Sequence, residues 1–263
     1  MLCFAPFRAS VVALTIAGAM LPALSRAVDA APPPAATTAP ASIVIGFVGG
    51  FVAHNNLRHG PVQLAHRIQQ TVPKDTYVRV FENRRRKQAY DAIVRLLDTD
   101  HDGSLSAEEK ARARIVLFGH SWGAAAAVML ARELRRDGIA VLLTVQVDSI
   151  AKAWQNDAII PDNVAAAVNF YQPHGILHGR TQITAADPAK TQVLGNYRED
   201  YQKDPIECPE ASWFSRVFTA GHMQSECDRR VWSQIESMVR QRLETPETYP
   251  TAAAVPVAAH PQD

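Results

Sequence analysis

The chain has 263 residues, 47% hydrophobic and 20% charged, the balance of an ordinary globular protein able to bury a sizeable core. Its 27 basic and 26 acidic residues nearly cancel, so it lacks the basic footprint of a nucleic-acid-binding protein. The length suits one large α/β domain or two small ones.

The N-terminus reads as an export signal. Arg8 supplies a positive n-region, Ser10 to Leu24 is almost wholly apolar, and Val28 and Ala30 flank Asp29 at a cleavage site after Ala30. The apolar run, about 15 residues, is short for a bilayer span of about 20, although an uncleaved anchor is the alternative. Cleavage removes Arg8, Arg26 and Asp29 and leaves 25 of the 27 basic and 25 of the 26 acidic residues. No stable membrane span is then expected, and the location is periplasmic or secreted. Residues 31–41, rich in Ala, Pro and Thr, form a linker too poor in large apolar groups to pack, and the tail 245–263 is similar.

Between these ends, short β-branched runs predict strands at Ser42–Val48, Thr76–Phe81, Arg114–Phe118, Ala140–Val147 and Ala167–Tyr171. Helical patterns fall at Pro61–Thr71, Arg86–Leu97, Gly123–Arg136 and Asp228–Leu243. Strand–helix alternation predicts an α/β fold, a mostly parallel central sheet with helices on both faces, over residues 42–244. Ligands of such sheets sit beyond the carboxyl ends of the strands. The run Arg84-Arg85-Arg86-Lys87 reads as a solvated helix start.

Within this alternation, residues 98–109 carry the spacing of an EF-hand calcium loop. Asp98, Asp100 and Asp102 fall at positions 1, 3 and 5, Gly103 at the sharp turn, the Ser104 carbonyl at position 7, Ser106 at 9 and Glu109 at 12. Ca2+ in a structural role is expected, bracing the strand that follows, and no organic cofactor is expected. The plainer reading is a capping box of Ser106 and Glu109 with solvated aspartates.

The apolar run Arg114–Phe118 leads directly into Gly119-His120-Ser121-Trp122-Gly123, and an Ala-rich helix follows. A serine at such a strand-to-helix turn has its hydroxyl lifted clear of the sheet, beside the helix N-terminus, where the Trp122 N–H can hold an oxyanion. In this setting the chain resembles the α/β-hydrolase superfamily over roughly residues 42–243. The resemblance implies a lipase- or esterase-like serine hydrolase with Ser121 as nucleophile and an acid and a histidine later in the chain. It also implies a second oxyanion donor after an early strand. Gly46-Phe47-Val48-Gly49-Gly50 looks like the family's His-Gly-x-Gly-Gly turn, with Ile45 in place of the histidine, which assigns that donor to the Phe47 N–H.

The base is expected at His222, late in the chain in a loop before the last helix, with His174 and His178 as rivals and His260 set aside in the tail. The superfamily's common acid position, after Ala167–Tyr171, has no acid until Asp187. Asp148 instead ends the preceding strand, a position used by some lipases of the superfamily. An acid ending an apolar strand is costly to bury unpaired, so Asp148 is the expected partner and Asp187 the second choice. Outside the signal, which holds Cys3, the cysteines Cys208 and Cys227 are expected to form a disulfide over a loop of about 20 residues. A small-molecule or lipid ester is the implied substrate. The competing class is a calcium-dependent binding or envelope protein on an inactive hydrolase scaffold.

Overall fold

The computed structural model describes residues 42–209 and 219–244. The expected signal, linker and C-terminal tail, with His260, lie outside the described residues. Six parallel strands form one sheet in the order β2-β1-β3-β4-β6-β8. These are β1 (Ser42–Val48), β2 (Thr76–Glu82), β3 (Ile115–His120), β4 (Val141–Val147), β6 (Val164–Tyr171) and β8 (Gln192–Arg198). Two short strands, β5 (Ile159–Ile160) and β7 (Thr184–Ala185), pair separately.

Helices cover both faces, and the alternation of side chains along β1 shows why. Ile43, Ile45 and Phe47 pack with α2 (Arg86–Leu97) and α4 (Trp122–Arg136), whereas Val44 and Val48 pack with α1 (Gly60–Thr71) and α6 (Arg229–Glu244). Every residue of β1, β3 and β4 is buried, as a sheet covered on both sides requires. Pro61 sits in the first turn of α1, where its missing N–H removes no helix bond. Among the described residues no helix is long and apolar enough to cross a membrane.

Two elements depart from the sequence expectation. β8 lies at the sheet edge and is half-exposed along most of its length, so it lacks the continuous apolar signal of the inner strands. Ala220–Cys227, expected as a loop, forms helix α5, so that His222 lies in the first turn of a helix. Its hydrophobic periodicity is weak, and tertiary contacts hold it: the Glu226 carbonyl accepts from Trp232 Nε1 at 2.8 Å. A disulfide also joins Cys227 to Cys208, with Cα atoms 5.8 Å apart. The remaining helix, α3 (Ala107–Ala111), is short and precedes β3.

The strand order reverses direction between β1 and β3, so the loops leaving these strands part to opposite faces. This opens a crevice at the strands' carboxyl ends, where ligands of such sheets bind. Replacing Cys208 and Cys227 together by serine should lower stability by roughly 3 kcal/mol, through the loop entropy returned to the unfolded chain. A urea transition at an unchanged midpoint would show that the bridge constrains nothing.

Candidate active site

Ser121 stands between β3 and α4 with φ 57° and ψ −127°, a conformation unusual for a residue with a side chain. Its backbone is clamped on both sides. The Ser121 N–H donates to the Val147 carbonyl at 2.9 Å, and its carbonyl accepts from the Ala124 N–H at 3.0 Å. The two flanking glycines are required by close approach. A Cβ on Gly119 would lie 2.4 Å from the Gly123 carbonyl carbon, and one on Gly123 would lie 2.3 Å from the Phe47 carbonyl oxygen. The Trp122 N–H opens α4, where no intrahelical carbonyl precedes it.

Asp148 follows β4 with φ 42° and is fully buried. Its Oδ1 accepts from the N–H groups of Gly179 (2.7 Å) and Gln172 (3.3 Å), and its Oδ2 from Gln172 Nε2 (3.1 Å) and His222 Nδ1 (2.7 Å). Burial alone would raise its pKa. The hydrogen bonds and charge of His222 and the hydrogen bond from Gln172 outweigh burial and hold the carboxyl below the ordinary Asp range. The Gly179 contact tolerates no side chain, since a Cβ there would meet Asp148 backbone at 2.2 Å. The structure therefore brings Asp148 to His222. Asp187 is engaged elsewhere, with Oδ1 accepting from the Ala189 N–H.

His222 is buried on α5, and with Nδ1 bonded to Asp148, Nε2 is the ring nitrogen left for chemistry. Ser121 and His222 line one cavity of about 410 Å³ together with Gly49, Gly50, Trp122, Ile150 and Leu177. Among the described residues they share this wall without a direct hydrogen bond. The rivals are placed otherwise: His174 Nε2 lies 3.2 Å from Asp200, and His178 lies beside the Gly179 carbonyl.

The assignment of Phe47 requires correction. Phe47 lies inside β1, in register with Phe81 of β2 and Gly119 of β3, and is absent from the cavity wall. The glycine turn begins three residues later, at Gly49-Gly50, where the strand has ended and backbone N–H groups leave the ladder. Gly46 belongs to the strand and packs on the Phe118 ring. Gly49 is the residue beside the nucleophile, since a Cβ there would lie 2.9 Å from Ser121 Cβ.

The sequence reading also missed a polar cluster behind His222. The His120 ring packs on the His222 ring with centroids 4.6 Å apart, and its Nδ1 lies 3.6 Å from buried Glu226. Glu226 Oε1 bonds His59 Nδ1 at 2.7 Å. Positions 59, 120 and 226 share no local motif, so no spacing in the sequence links them. Burial pushes the pKa of His120 down to about 4, with the attraction of Glu226 offsetting this only in part.

In the loop 98–109, ligand oxygens of Asp98, Asp100 and Asp102 lie within 4.8 Å of one another, and Asp98 Oδ1 is buried without a hydrogen-bond partner. Asp98 Oδ2 accepts from the Gly103 N–H, and Asp102 Oδ1 from Ser104 N–H and Oγ. Glu109 is not gathered with the aspartates. Its Oε1 accepts from Thr99 N–H and Oγ1, and its Oε2 from Ser106 N–H and Oγ, the last pair completing a capping box at α3. Four donors within the loop thus converge on the Glu109 carboxylate.

No protein-family model and no curated protein matches the chain. Solved structures similar to it include a thioesterase from the prodiginine biosynthetic pathway of Streptomyces coelicolor (14% identity, 81% of this chain and 97% of that one, TM-score 0.39). An acetylxylan esterase (13%, 78% and 100%, TM-score 0.36) is similar too. A third is a putative hydrolase of the alpha/beta superfamily from Xanthomonas campestris pv. campestris (12%, 74% and 99%, TM-score 0.33). At these identities and scores the likenesses assign neither activity nor substrate.

His120 makes the fold acid-sensitive in a defined window. Its pKa is about 4 in the folded chain against 6.5 for the free side chain. Between these values only the unfolded state takes up the proton, so stability is intact above pH 6.5 and falls as the pH drops toward 4. The loss is on the order of 3 kcal/mol. The variant His120→Gln should flatten this limb of the stability–pH curve; an unchanged slope would locate the sensitivity elsewhere.

Proposed function

We propose that this chain is an exported serine hydrolase that cleaves a carboxylic ester or related acyl bond of a small-molecule or lipid substrate through an acyl-enzyme. The observation that carries this reading is the 2.7 Å bond from His222 Nδ1 to buried Asp148, behind a cavity whose wall also holds strained Ser121. In the proposed reaction Ser121 Oγ attacks the acyl carbon as its proton passes to His222 Nε2. Asp148 fixes the imidazole and stabilises the imidazolium. The oxyanion is received by the Trp122 N–H and, in place of Phe47, the Gly50 N–H. Collapse expels the alcohol, which takes its proton from His222. Water then attacks the acyl-enzyme with His222 as base and restores Ser121. The signal-like N-terminus and the Cys208–Cys227 bridge support a periplasmic or secreted location.

A fluorophosphonate probe separates this reading from a non-catalytic binding scaffold. The wild type should be labelled at Ser121, and Ser121→Ala should abolish labelling and lower kcat on p-nitrophenyl esters by about 10³-fold or more. Normal turnover by that variant would remove Ser121 from the mechanism.

We also propose that the loop 98–109 binds calcium. Three convergent carboxylates, one with a buried unpartnered oxygen, fit a hard cation, with the Ser104 carbonyl and Ser106 as neighbouring oxygen donors. Glu109 serves in this arrangement as the clamp that shapes the loop. When bound, the ion would offset two of the three negative charges gathered just upstream of β3, a structural role. Calcium should stabilise the fold in proportion to the logarithm of its concentration, by about 2.7 kcal/mol at 100 times Kd, with Tm rising accordingly, and Asp100→Asn should remove the effect. A Tm indifferent to calcium and to chelator would rule the site out.

A further inference from the structure

The Gly49-Gly50 turn has no support from the β-sheet, because β1 ends at Val48. A catalytic donor on an unsupported turn is imprecise, yet the turn's carbonyls are held. Asn83 follows β2 directly and is buried, 5% exposed. Its Nδ2 donates to the Gly50 carbonyl at 2.6 Å and to the Val48 carbonyl at 3.3 Å. The carbonyl between them, that of Gly49, accepts from the Val52 N–H at 3.3 Å. Three successive peptide planes are thus fixed. In a trans peptide the N–H points opposite to the carbonyl, so the N–H groups of Gly49, Gly50 and Phe51 are oriented away from those bonds.

An Asn amide can donate to carbonyls only if its own oxygen faces the other way, and Lys152 enforces that orientation. Its ammonium, which has donors and no acceptor, lies 2.7 Å from Asn83 Oδ1. The same ammonium sits 4.9 Å from the centre of the Trp122 ring, over the residue that opens α4. Lys152 comes from the loop that follows Asp148. One cation therefore touches the brace of the glycine turn and the residue bearing the other proposed donor.

We infer that Asn83 and Lys152 are positioning residues of the oxyanion hole: Lys152 orients the Asn83 amide, and Asn83 locks the Val48–Gly49 and Gly50–Phe51 peptide planes, which flank the plane that presents the Gly50 N–H. The inference rests on the hydrolase reading. Neither residue need touch substrate, so their removal should weaken transition-state stabilisation while leaving ground-state binding intact.

The test uses the full chain, p-nitrophenyl acetate and a fluorophosphonate probe. Asn83→Ala and Lys152→Met should each lower kcat and the labelling rate roughly 10- to 100-fold, less than the loss expected for deleting a donor outright. KM should stay within about threefold, and Lys152→Arg, which keeps a cationic donor, should recover most of kcat. Tm recorded for each variant separates this from unfolding. A folded Asn83→Ala protein with wild-type kcat, or one that changes KM alone, overturns the brace and leaves the hydrolase reading standing. A wild type that neither turns over ester nor takes the label overturns both.

Discussion

A carboxylate that is ionised and has no contact with solvent is the condition around which this end of the molecule is organised. Asp148 emerges from the innermost part of the sheet, where a lone charge would be destabilising by several kcal/mol. Its two oxygens are met by four donors from three segments: the turn after β6, the Gly179 backbone and α5. Each donor comes with a geometric demand. Gly179 must lack a side chain, Gln172 must turn its amide inward, and His222 must present Nδ1. The imidazole's orientation and its free nitrogen follow from satisfying the acid.

The second constraint is steric. Backbone from β1, β3 and α4 converges at Gly119 and Gly123 closely enough that a methyl group at either would displace main chain. That convergence holds Ser121 at φ 57°. A turn of this kind is held in place by its surroundings, and the Ser121 N–H and carbonyl are both bonded while the residue lines the cavity. The opposite wall is a glycine turn whose carbonyls are tied back by Asn83. Rigidity is thus distributed: the strand ends set position, and side chains from neighbouring loops set direction.

The acidic loop shows the same economy with a different outcome. Its sequence has the spacing of a calcium loop, but Glu109 is taken up by backbone and hydroxyl donors of the loop. With Thr99 and Ser106 both reaching it, the carboxylate closes the loop on itself. The three aspartates remain gathered apart from it. Local spacing specifies which residues carry oxygen, and the competition among donors specifies which oxygens stay free.

How much of this was legible in the chain itself follows from the range of the forces involved. The inner strands and main helices could be read within a few residues, because burial on both sheet faces writes a continuous apolar signal into β1, β3 and β4. The Gly119–Gly123 elbow could be read because its steric demand falls on neighbours two residues from the serine. Asp148 and His222 were legible as candidates because an acid ending a buried strand needs a partner. The edge strand β8 and helix α5 were not, since neither carries the pattern that distinguishes it from a loop. Phe47 was misplaced by three residues, because Gly46 and Gly49 look alike in sequence and only the end of the ladder tells which one turns. Asn83, Lys152, His59 and Glu226 were invisible, as their contacts join residues tens to more than a hundred positions apart. The sequence by itself determined the alternation of strand and helix, the strained serine and the residues able to serve as acid and base. The tertiary structure alone decided which backbone N–H groups leave the ladder beside Ser121 and which distant side chains hold them, because both depend on where strands end relative to one another in space.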